Sequence, residues 1–164
     1  MIKKILKIFL KTLILFFGGV AIFLFVNGTI PNPFFSKKPI AIVMSEVKQV
    51  EIEGAVFDVD LAINEESRVH GLSGRGYLGV NHGILFVFDT PAAHFFWMKG
   101  VKMPLDIIWI DEKKQIMDMV EDVKPDSYPV QFGTNEDSLY VLEFPAGTAK
   151  KYNFAFKSDV VFLK

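Results

Sequence analysis

From Phe95 to Asp106 the chain reads Phe-Phe-Trp-Met-Lys-Gly-Val-Lys-Met-Pro-Leu-Asp, three consecutive rings followed by two lysines and a carboxylate. A buried strand has no use for a lysine directly after Trp-Met, and a surface loop has no use for three rings in a row. Large rings mixed with a cation and a carboxylate are how a small-molecule cleft is lined. The plainer reading is an aromatic core strand that ends in a charged turn. Three further charged residues could join this segment. Arg68 and Arg75 stand seven residues apart, two turns if the stretch is helical, and could converge on a carboxylate or phosphate with bidentate geometry. Asp106 and Glu143 sit among apolar residues, so each needs a partner if buried, and the arginines or Lys99 would supply it. The candidate binding set is Arg68, Arg75, Trp97, Lys99, Asp106 and Glu143, with Trp97 as a stacking platform. Two other descriptions fit the same charges: ion pairs internal to the fold, or an Asp106/Glu143 acid–base pair.

Other chemistries fail on spacing or on residue type. The chain has no cysteine, which removes disulfides, thiolate catalysis, thiolate metal sites and a lipid-modified N-terminal cysteine. Gly71, Gly74 and Gly76 do not form a phosphate loop, because no Gly-Lys-Ser/Thr ending follows and no strand leads through them into a helix. His70, His82 and His94 are the only histidines, at spacings that do not suit one metal site. Ser73 follows Leu72 and so lacks the Gly-x-Ser-x-Gly nucleophile elbow. No catalytic triad, metal or cofactor is expected.

The order and spacing of several short motifs resemble those of the microbial domain of unknown function 192. The matching residues are Arg68, Gly71-Leu72, Arg75, Gly83-Ile84-Leu85-Phe86, Phe96-Trp97-Met98-Lys99, Pro104-Leu105-Asp106, Val141-Leu142-Glu143 and Ala146-Gly147. The resemblance runs from about residue 50 to the C-terminus and implies a domain without implying a reaction. This chain departs from the pattern at Gly100-Val101, where the family has Asn-Thr, and at Ser73 and Ile84, where it has methionines. The loss of those methionines argues against a soft metal ion here.

The 164 residues suffice for one core. The N-terminus is basic and apolar: Lys3, Lys4, Lys7 and Lys11 precede an uncharged run from Thr12 to Val26. Residues 5–26 make a helix long enough to cross a bilayer if Lys7 and Lys11 reach back to the headgroups. Positive charge before the span keeps the N-terminus cytoplasmic and sends the rest outside. Cleavage near Gly28 is the alternative and would leave a secreted or periplasmic protein. The organisation expected is therefore residues 1–30 as anchor or signal, 31–45 as a linker, and 46–164 as the domain. Without the four N-terminal lysines the remainder carries 14 basic against 19 acidic residues, net −5, a balance unsuited to binding nucleic acid.

Within the domain, Phe57, Val59, Leu61 and Ile63 alternate with Asp58, Asp60 and Ala62 as in a half-buried strand. Val50–Ile52, Ile84–Phe88, His94–Met98, Ile107–Ile110, Gln115–Val120, Leu139–Phe144 and Val160–Leu163 read as further strands. Asp111–Lys114 is a hairpin loop, Asn64–His70 a short helix capped by Asn64, and Thr148–Tyr152 a second helix. The fold class expected is mainly β (α+β), a small antiparallel sheet or partly closed β-barrel with two short helices. No strand–helix–strand alternation is evident. The function expected is an exported, membrane-anchored module that binds a small polar or anionic ligand, saccharide or peptide-like. The alternatives are a small envelope hydrolase using Asp106 or Glu143, and an accessory subunit that docks an envelope protein through its aromatic surface.

Overall fold

The computed structural model describes residues 44–164, together with the backbone of two N-terminal strands, Thr12–Phe17 (β1) and Val20–Phe25 (β2). The chain divides into two units, Met1–Lys37 and Lys38–Lys164. In the first, β1 and β2 pair antiparallel, with Thr12 opposite Phe25 and Phe17 opposite Val20. A helix is expected over residues 5–26, but where that segment is described it is strand. Its β-branched and aromatic residues, interrupted by Gly18-Gly19, suit a hairpin as well as they suit a helix. The rest of the segment, and the expected linker up to residue 43, lie outside the described residues. Among the described residues no helix is long and apolar enough to cross a membrane.

The second unit is mainly β, a curled half-barrel of seven strands with two short helices. Its strands are β3 (Gln49–Ile52), β4 (Ala55–Ala62), β5 (His82–Ala92), β7 (Leu105–Ile110), β8 (Ile116–Val123), β10 (Ser138–Pro145) and β11 (Val160–Leu163). They lie in the order β11-β3-β4-β5-β10-β7-β8. A separate two-stranded ribbon pairs β6 (Phe95–Phe96) with β9 (Phe132–Gly133). Every strand expected in the domain is present, but that at His94–Met98 shrinks to two residues and leaves the main sheet.

One connection departs from the antiparallel expectation. β4 and β5 run parallel, joined through helix α1 (Glu65–His70), which makes a single strand–helix–strand crossover. Parallel neighbours need a connection of a dozen or more residues, and the glycine-broken stretch after α1 supplies the length. Asn64 accepts from the Ser67 amide while the Ser67 hydroxyl accepts from the Asn64 amide, a reciprocal cap with Glu65 and Glu66 in the first turn. Gly71 stops the helix at a positive φ of 49°, with the ring of Phe86 3.4 Å from where a Cβ would stand.

The central strands are buried on both faces, and side-chain alternation divides them between two apolar layers. Leu85, Val87, Ile108, Ile110, Leu142 and Phe144 face the first layer with Phe57 and Phe154. Ile84, Phe86, Leu105, Ile107, Trp109 and Val141 face the second, with Leu72 and Met98 packed over them. The second layer is covered by α1, the loop after it and the aromatic segment, and the cleft opens there.

Candidate ligand-binding cleft

Trp109 fixes the aromatic segment from below, its indole nitrogen donating to the His94 carbonyl at 2.8 Å. Phe96 turns inward and meets Phe86 edge-on at 4.8 Å. Its neighbours alternate: Phe95 and Trp97 point outward, and Met98 is buried. The loop after α1 grips the far end of the segment. Ser73 Oγ donates to the Lys99 carbonyl at 2.9 Å, and the Gly74 amide donates to the Gly100 carbonyl at 2.8 Å. Gly100 holds φ of 73°, a conformation that disfavours side chains, which accounts for glycine at this turn.

Between α1 and this segment lies an open cleft of about 300 Å³. It is lined by Arg68, Trp97, Lys99 and Glu143 of the six candidates, together with His94 and the rings of Phe86, Phe88 and Phe96. At its mouth it adjoins a shallower depression that again includes Trp97 and Lys99. Trp97 is 48 % exposed and is met edge-on by Tyr128 at 6.4 Å, so one face of its indole can take a ligand. Arg68 donates to the Val87 carbonyl at 2.9 Å and lies 5.3 Å from the centre of the Phe88 ring. Those contacts fix the guanidinium without neutralising it. Among the described residues no acid lies within ion-pairing distance of Arg68 or Lys99.

Glu143 lies on the floor, 5 % exposed, on the same face of β10 as Val141. Among the described residues nothing hydrogen-bonds its carboxyl. Burial alone pushes its pKa up to about 8, so it is protonated at neutral pH. His94 stacks on Phe88 with ring centres 3.4 Å apart. Burial first, then the charge of Arg68, lowers its pKa, while hydrogen bonding with the Ser138 backbone opposes both. Its Nε2 is buried and without a partner among the described residues.

The other two candidates are elsewhere. Arg75 lies beyond the end of α1, so it does not share a helical face with Arg68. It pairs with Asp60 at 2.6 Å on the surface, and His82 approaches the other oxygen of Asp60 at 3.2 Å. Arg75→Ala is expected to cost less than about 1 kcal/mol in chemical denaturation, as for other exposed pairs. Asp106 is fully buried, on the opposite face of the sheet from the cleft. Its Oδ1 accepts from the Asp122 amide and its Oδ2 from the Ala149 amide, each at 2.9 Å. Asp106 therefore ties β8 to helix α2 (Thr148–Lys151), on the opposite face of the sheet from Glu143. The histidines divide as well: His70 and His94 reach the cleft, while His82 sits with Asp60. No group of three metal-ligating side chains occurs among the described residues.

No curated protein matches this chain. Two solved structures resemble it. One, from Sinorhizobium meliloti 1021, is named a "putative transcription regulator" and is 28 % identical with a TM-score of 0.66. The match covers 70 % of this chain and 92 % of that one. The other is a protein of unknown function from Novosphingobium aromaticivorans DSM 12444, 26 % identical with a TM-score of 0.67, covering 70 % of this chain and 84 % of that one. The DUF192 family model (Uncharacterized ACR) matches residues 48–162, from β3 through β11, and on that match the chain belongs to the DUF192 family.

Proposed function

We propose that the domain is a binding module for a small molecule carrying an anionic group, received in the cleft between α1 and Trp97. The observation that carries this reading is the pair of cations, Arg68 and Lys99, beside an exposed indole and without acidic partners among the described residues. An anion supplies the charge those side chains lack, and Trp97 covers the apolar body of the ligand. Residues 5–26 would tether the module to a membrane on the extracytoplasmic side, a placement supported by the lysines before the apolar run. A nucleic-acid ligand, which the name of one structural neighbour would suggest, fits poorly with the net charge of −5 beyond the N-terminal lysines.

Calorimetric titration of the full chain with acetate, phenylacetate, N-acetyl-L-phenylalanine and phenyl phosphate tests the reading. At least one of the aromatic anions is expected to bind, and Arg68→Ala or Trp97→Ala to weaken it about tenfold or more. Trp97→Ala should alter stability by no more than about 0.5 kcal/mol, because the ring is exposed. Failure of every anion to bind removes the reading.

A hydrolase reading draws support from the same cleft, since a buried carboxyl of raised pKa is suited to general-acid work. Its second carboxylate would have to be Glu65 on α1, because Asp106 belongs to the opposite face.

A further inference from the structure

The floor of the cleft holds two polar groups that the protein leaves unanswered. Glu143 is 95 % buried and no donor among the described residues reaches its carboxyl. His94 Nε2 is buried with no partner among the described residues. Leaving a buried polar group unpaired costs on the order of 1–3 kcal/mol, a cost that His94 Nε2 carries and a ligand donor would relieve. The two groups do not bond each other. The Ser138 backbone favours a proton on the ring, and with Nε2 unpartnered that proton sits best on Nδ1, leaving Nε2 of the neutral ring as an acceptor. The Glu143 carboxyl, protonated in the free protein, offers only acceptors once a cation draws off its proton. Both orphans therefore call for one kind of group, a donor with several N–H bonds.

The mouth calls for the opposite. The titratable groups that face the cleft besides Glu143 are Glu65, Arg68 and His70 on α1, with His94 and Lys99 on the aromatic segment. Arg68 and Lys99 are cations without acidic partners there, and Trp97 is a ring without a cover. Acceptors at the bottom and cations at the rim describe a ligand that carries both charges.

We propose that the cleft binds a free amino acid with an apolar side chain, its carboxylate held by Arg68 and Lys99 and its ammonium received by Glu143 and His94 Nε2. This rests on the anion-binding reading above and specifies the ligand class. The ammonium has three donors, enough for both orphans. Its charge draws Glu143 into the carboxylate form, and the proton leaves for solvent as the complex forms. The side chain lies against Trp97.

Three phenylalanine derivatives separate the claims on the full chain. L-Phenylalanine carries both charges, N-acetyl-L-phenylalanine only the anion, and L-phenylalaninamide only the cation. L-Phenylalanine is expected to bind about tenfold or more tightly than either derivative. Titration at pH 7 in buffers of different ionisation enthalpy should show close to one proton released per L-phenylalanine bound. That release should vanish in Glu143→Gln. If N-acetyl-L-phenylalanine binds as tightly as L-phenylalanine, or the proton release persists without Glu143, the zwitterion proposal is overturned and anion binding stands. If no carboxylate binds, both are overturned.

Discussion

Glu143→Gln should stabilise the free protein at pH 7 by on the order of 3 kcal/mol, and by little near pH 4. In the unfolded chain this carboxyl titrates at 4.5, whereas in the fold burial lifts it to about 8. Between those values the native state binds a proton that the unfolded state has released. Stability attributable to Glu143 therefore falls as pH rises from about 4.5 and levels off only above about 8. At pH 7 most of that loss has occurred, at roughly 1.4 kcal/mol per pH unit. Glutamine has nearly the same shape, keeps an acceptor oxygen beside an amide donor group, and does not titrate. Urea denaturation of the two proteins at several pH values measures the difference directly. A wild-type advantage that grows with pH would mean that Glu143 is ionised in the fold, and the description of the cleft floor would be wrong. Stability sacrificed at an unpaired polar residue is a common property of binding and active sites, where the missing partner arrives with the ligand.

Asp106→Ala should have the opposite sign and a comparable size, a loss on the order of 3–5 kcal/mol. The carboxylate accepts two backbone amides, from Asp122 and Ala149. Hydrogen bonds to a charged group contribute about 1.5–3 kcal/mol each, and deleting the acceptor leaves both amides unpaired. Asp122 occupies a positive φ of 54°, and Ala149 is in the first turn of α2. Removing Asp106 thus loosens a strained position in β8 and the start of a helix together. Asp106→Asn, with one carbonyl acceptor in place of two oxygens, should fall between the wild type and the alanine variant. Hydrogen exchange at the Ala149 and Asp122 amides reads the same event locally: both should exchange much faster in Asp106→Ala. Unchanged exchange there would show that the two bonds do not hold α2 in place. Because Asp106 faces away from the cleft, the effect belongs to folding and not to ligand recognition.

These two carboxylates show where sequence reading stopped. Both stand among apolar residues, and the sequence treats them alike. In the fold, the parity of Asp106 matches Ile108 and Ile110, while Glu143 matches Val141. Parity was visible, but β7 and β10 are covered on both faces, so no polar alternation marked which face was which. Arg75 shares a helical face with Arg68 only if the helix continues to it. Gly71 ends that helix, and a positive φ there is a property of the turn more than of the glycine. His94 stands directly before the three consecutive rings, yet its role depends on a strand too short to see by period. The parallel crossover was hidden for a similar reason, since α1 is only six residues long. By contrast, Asn64 with Glu65 and Glu66 announced a helix start, and the apolar runs located the main-sheet strands to within a few residues. Alternation and capping are local, and these were legible. The choice of partner, face and register is made between distant segments.

The central claim is that the cleft at Trp97 receives a small anionic molecule, and Trp fluorescence of the full chain tests it most directly. The two tryptophans are unequally placed, Trp97 exposed at the cleft and Trp109 fully buried beneath it. Titration with N-acetyl-L-phenylalanine should produce a saturable change in emission that is carried by Trp97. The change should disappear in Arg68→Ala and survive in Arg75→Ala. A response that never saturates, or one that is the same with and without Arg68, would contradict the account.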